Sequence, residues 1–156
     1  RQPVNSESYL ENKMSEERPI PKFPKPISVG HRDWGEEILL VLSSGNYTMK
    51  KLSIKAGKKG GLQYHRLKDE ASYIISGNMI LRYDDGSGNL IEKKVGAGEW
   101  FHFPAGCIHQ EEAITDVERI EVSTPHFNDR VRVEDRYGLK NKDGLPTTKK
   151  DEIVFR

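Results

Sequence analysis

The sequence predicts an all-β domain of the sandwich or jelly-roll type, and three observations carry that prediction. Strand-like runs are short, turn signals separate almost all of them, and no amphipathic helix of convincing length lies between them. The 156 residues suffice for one domain with a real core and fall short of two of ordinary size.

In chain order, residues 1–30 are polar and then proline-rich. Pro19, Pro21, Pro24 and Pro26 forbid a regular helix or a central strand there, so this stretch reads as an extended N-terminal arm. The domain proper, residues 31–138, carries strand-like runs at Ile38–Leu42, Tyr47–Ile54, Leu62–His65, Ala71–Ser76 and Met79–Tyr83. Further runs follow at Leu90–Val95, Trp100–Phe103, Ile108–Ala113 and Val117–Ser123. Turn signals fall between them at Ser44-Gly45-Asn46, Gly57 to Gly61, Gly77-Asn78, Asp84 to Gly88 and Gly96 to Gly98. Asp129 to Tyr137 reads as a short terminal helix or an extended segment. Residues 139–156 form a charged, glycine-containing tail, expected to be peripheral.

Composition narrows the function classes. The formal net charge is +1 with charges interspersed, which gives no reason to expect a nucleic-acid partner. No apolar run approaches the roughly 20 residues of a membrane span, and no secretion-signal stretch opens the chain. A cytoplasmic location without a membrane partner is the expectation. The single cysteine, Cys107, rules out an intramolecular disulfide framework and reads as a small buried residue.

The chemistry sits in two motifs. The first runs through Gly57, Gln63, His65, Glu70 and Gly77, and the second through Gly98, Pro104, Gly106 and His109. Residues two apart on a strand share a face, so Gln63 and His65 present an amide oxygen and an imidazole to one point while Tyr64 faces away. After a polar turn at Lys68-Asp69, Glu70 opens the returning strand opposite His65. The Pro104-Ala105-Gly106 turn starts a new strand just before His109. Two imidazoles, a carboxylate and an amide suit one divalent first-row ion (Zn, Mn, Fe, Co or Ni) and leave about two coordination positions open.

These motifs resemble the two that build the metal site of cupins, with Gln63 in place of the usual first histidine and Ala113 in place of a terminal asparagine. The resemblance implies a single cupin jelly-roll barrel, a double-stranded β-helix. The stretch from Gly57 to His65 is more closely similar to the cupin domain of type II mannose-6-phosphate isomerases, where glutamine at the first ligand position is the norm. Arg119 to Ser123, Asp129 to Gly138, and Trp34-Gly35 with Glu37 extend that similarity over roughly Arg32 to Gly138. It implies that Gln63, His65, Glu70 and His109 are metal ligands and that the protein works in carbohydrate or polysaccharide-precursor biosynthesis. The family signature continues past Tyr-Gly into an arginine, whereas here Leu139 and Lys140 follow. That departure, and the lack of the guanylyltransferase domain often fused to this cupin, suggest a stand-alone relative working on a different sugar.

Such an isomerase interconverts an aldose and its 2-ketose through a cis-enediolate, and needs a base near the migrating proton and a cationic clamp for the phosphate. Glu70, Glu121 and His102 are the candidate bases. Arg119, Arg130 and Arg132 are the candidate substrate-binding residues. Lys55, Lys58 and Lys59 read as a solvated run, and Tyr64 and Trp100 as packing residues. The ligand is then a sugar phosphate or sugar nucleotide, and the proline-rich arm together with the cupin habit of pairing through sheets suggests a homodimer. Two alternatives stand beside this reading: a non-catalytic sugar or sugar-nucleotide binding cupin, and an Fe(II) cupin oxygenase.

Overall fold

In the computed structural model, residues 18–140 and 144–156 are described; most of the arm, residues 1–17, lies outside them. The described chain is all β, with two short 3-10 turns and no α-helix. The strands are β1 (Ile27–Arg32), β2 (Gly35–Ser43), β3 (Tyr47–Ile54), β4 (Gln63–Tyr64), β5 (Glu70–Ser76), β6 (Asn78–Asp84) and β7 (Leu90–Gly96). After them come β8 (Trp100–Phe103), β9 (His109–Ala113), β10 (Val117–Ser123), β11 (His126–Phe127), β12 (Val131–Arg132) and β13 (Val154–Phe155). Two antiparallel sheets, ordered β1-β2-β3-β10-β5-β8 and β12-β4-β9-β6-β7, form a cupin-type jelly roll.

Sequence alternation divides the interior into two zones. On β10, Val117, Arg119, Glu121 and Ser123 are buried; on β5, Glu70, Ser72 and Ile74; on β3, Thr48, Lys50 and Leu52. Register places Val117 beside Ile54 at one end of the sheet, and Ser123 between Thr48 and Glu70 at the other. One end is therefore apolar, where Ile74, Met79, Leu81, Val95, Ala113 and Val117 cluster, and Phe103 extends this cluster toward the other end. Burying side chains such as Ile74 and Met79, both at 0% exposure, contributes about 1.5–3 kcal/mol each. The other end is polar and carries the candidate site. Gly77 joins β5 to β6 with φ +92°, and a Cβ there would meet the Asp116 carbonyl oxygen at 2.1 Å, so only glycine fits.

The ends of the chain differ from the sequence expectation. β1 begins at Ile27, within the stretch read as an arm, because Ile27 to Arg32 pairs with the edge of β2. Val131–Arg132 forms a strand against β4, and Glu134–Tyr137 a single 3-10 turn. The tail is not peripheral throughout: β13 pairs with β11, the Thr148 N–H donates to the Arg130 carbonyl at 2.9 Å, and the Gly45 N–H donates to the Arg156 carbonyl at 3.0 Å.

Candidate metal centre

Three strand ends deliver the candidate ligands. Glu70 opens β5, His109 opens β9, and His65 directly follows β4. All three are buried, at 8% exposure for His65, 6% for Glu70 and 4% for His109. The Nε2 atoms of His65 and His109 lie 3.5 and 3.4 Å from the same oxygen, Glu70 Oε1. One potential ligand atom from each residue lies within 4.8 Å of the others. Adjacent donors around an ion with bonds of about 2.1 Å stand about 3 Å apart, so each imidazole nitrogen lies within a few tenths of an ångström of ligand spacing from Glu70 Oε1. Gln63 pairs with His109 in the β4–β9 register, which puts the two side chains on one face.

Surrounding hydrogen bonds aim the rings. His65 Nδ1 is bonded to the Asp129 carbonyl oxygen, and His109 Nδ1 donates to the Cys107 carbonyl at 2.9 Å. With Nδ1 so engaged, each Nε2 is the atom left for an ion. Phe103 stacks on the His109 ring with centroids 4.1 Å apart. The Asp129 carboxylate accepts the backbone N–H groups of Arg66, Leu67 and Lys68 at 3.0, 2.7 and 2.9 Å, holding the turn that joins two of the ligands. Burial alone would raise the Asp129 carboxyl, but those three N–H groups hold it below its usual value.

A network of buried charges surrounds the ligands. Lys68 Nζ is ion-paired with Glu70 Oε2 and lies 3.8 Å from Glu121 Oε2. Arg119 donates to Ser72 Oγ at 2.5 Å and to Glu111 Oε2 at 3.0 Å, and stands 3.5 Å from Glu121 Oε1. Burial would push the Glu70 carboxyl up, yet the Lys68 ammonium and the two imidazoles hold it well below the carboxylate range. Glu121 goes the other way, raised first by burial and also by the Glu70 charge, against the pull of Lys68, Arg119 and Lys50. Two carboxyls that share the Lys68 ammonium thus differ in proton affinity.

Burial opposes the charged form of His109, but its bond to the Cys107 carbonyl and its contact with Glu70 prevail and raise it to about 10. An ion must displace that proton, so uptake at neutral pH is expected to release about one proton, with affinity rising about tenfold per pH unit up to about pH 10. The same proton stabilises the metal-free fold fully below 6.5, the ordinary histidine value, and this contribution disappears as pH rises to about 10. Calorimetry in buffers of different ionisation heat counts the released protons, and a count of zero would refute the coupling.

Other sequence candidates lie elsewhere. His102 pairs with Ala71 in register while Glu70 pairs with Phe103, so strand parity turns His102 outward, where it meets Asp69 at 2.8 Å. Arg130 donates to the Pro146 carbonyl, and Arg132 to Leu145 and Glu134, so both fasten the C-terminal segment. Trp100 is exposed and Tyr64 half-buried. Sequence reasoning passed over Lys68, Glu111 and Asp129. Glu111 was recoverable, since it shares the inward parity of His109 on β9.

This fold and donor set define a cupin-type jelly roll with a candidate divalent-metal centre. A family model described as Cupin domain matches residues 51–122, which supports a place in the cupin superfamily. Oxalate decarboxylase from Bacillus subtilis superposes with a TM-score of 0.63 at 18% identity, covering 99% of this chain and 51% of that one. The capsular polysaccharide assembling protein CapF from Staphylococcus aureus gives 0.53 at 20% identity, covering 64% of this chain. KdgF from Halomonas sp. gives 0.53 at 13% identity, over 62% of this chain and 84% of that one. The aligned part spans 29% of CapF. No curated protein matches the sequence.

The residues fit a divalent first-row ion. Two imidazoles oriented by carbonyls and one carboxylate form a nitrogen and oxygen set of the kind such ions take.

Proposed function

We propose that the protein is a metal-dependent sugar isomerase of the type II mannose-6-phosphate isomerase kind, interconverting an aldose or its phosphate with the 2-ketose. The observation that carries this reading is the buried pair Glu70 and Glu121, with Lys68 between them. Glu70 faces both imidazoles as an ionised ligand, and Glu121 keeps a higher proton affinity suited to general-base work. When bound, a divalent ion supplies electrostatic stabilisation for negative charge on substrate oxygens.

Glu121 removes the proton at C2 and returns it at C1. Arg119, held by Glu111 and Glu121, fixes the position of that carboxylate. The test is deuterium incorporation at C2 of candidate aldoses and their phosphates in deuterated water. Glu121→Gln is expected to lower the exchange rate by about 10²–10⁴-fold while leaving the ion bound. Ligand binding without exchange in the unaltered protein would instead identify a binding module.

A second reading has its own observation. Two histidines and one carboxylate are the donor set of non-haem Fe(II) oxygenases. Gln63 on the same face as His109 argues for a fourth protein donor and against that triad. Oxygen uptake by the iron-loaded protein on candidate substrates separates the two.

A further inference from the structure

We infer that Lys68 is a positioning residue that keeps Glu70 a one-oxygen ligand and thereby keeps a coordination position open for substrate. This rests on reading His65, Glu70 and His109 as an ion site, and it does not depend on which reaction follows.

A carboxylate beside a divalent ion binds through one oxygen or through both. Two-oxygen binding would use up a position that an exchangeable ligand could hold. Glu70 divides its oxygens: Oε1 faces both histidine Nε2 atoms, whereas Oε2 is ion-paired with Lys68 Nζ. Turning Oε2 toward the ion would break a charge-assisted contact inside the barrel, where such contacts are strong.

Lys68 is itself held. Its backbone N–H donates to Asp129 Oδ2 at 2.9 Å, and its side chain, 14% exposed, reaches inward with Glu121 as the second anion. An ordinary turn lysine would extend into water. Here the turn between β4 and β5 is clamped so that the ammonium meets the ligand it restrains, the role that outer contacts play around metal sites.

The test uses Mn²⁺ and the relaxation of water protons, which reads the number of exchanging waters on the ion independently of activity. With about two open positions in the unaltered protein, Lys68→Met is expected to lower the inner-sphere relaxivity per bound Mn²⁺ by about half. Lys68→Arg should restore it. Lys68→Gln, which removes the charge and keeps a polar side chain, reads the same quantity should the methionine variant fold poorly. Unchanged relaxivity in the charge-removed variants overturns the assignment, as does loss of Mn²⁺ binding in both of them. Failure of the unaltered protein to bind Mn²⁺ overturns the site reading as well. If relaxivity falls as stated but no sugar shows deuterium exchange, the role of Lys68 stands and the isomerase reading fails.

Discussion

His65→Ala and His109→Ala are each expected to reduce bound divalent metal from about one ion per chain to a small fraction of that. The remaining donors would form an incomplete set for a first-row ion. The effect should be this large because the two Nε2 atoms share a single carboxylate oxygen, so losing either ring leaves Glu70 Oε1 with one imidazole opposite it. Metal analysis of protein purified without added metal provides the measurement. Equal content in the unaltered protein and both variants would reject the assignment. Neither substitution should unfold the domain. The Lys68–Glu70 ion pair persists in both variants, and the apolar cluster keeps all its members.

Asp129→Ala is expected to cost about 2–4 kcal/mol of stability, measured by urea unfolding. Three backbone N–H groups lose their acceptor together. A fully buried donor stranded in this way costs roughly 1–3 kcal/mol, and partial access of water to this turn lowers the sum. Asp129→Asn should fall between, since one amide oxygen can replace only one of the two carboxylate oxygens. The sign with pH follows from the depressed carboxyl. Its contribution is present above 3.8, the ordinary value, and is lost as pH falls through the lower folded value. A drop in stability below 1 kcal/mol would mean that the turn finds other acceptors.

How much of this could be read in advance varies with the residue. The all-β architecture and the meeting of His65, Glu70 and His109 were legible because strand alternation and turn residues fix which side chains share a face. His102 was misplaced by parity: its neighbour Phe103, and not His102, stands opposite Glu70. A register between remote strands decides that, and local sequence does not contain it. Arg130 and Arg132 fit a phosphate clamp by their guanidinium fork, whereas a guanidinium satisfies backbone carbonyls equally well, and both arginines hold the segment from Leu145 to Pro146. Lys68 was hidden because a lysine in a turn ordinarily points outward. β13 consists of two residues and gives no periodicity to detect.

His65 receives its orienting partner from a residue 64 positions later in the chain. During synthesis the first imidazole emerges long before Asp129 can set its tilt. A nascent chain therefore lacks a finished chelating pocket until its last large β-segments have docked. On the metal-site reading, ion capture would close the folding sequence and would not seed it, so refolding rates are expected to be the same whether or not metal is present at the start.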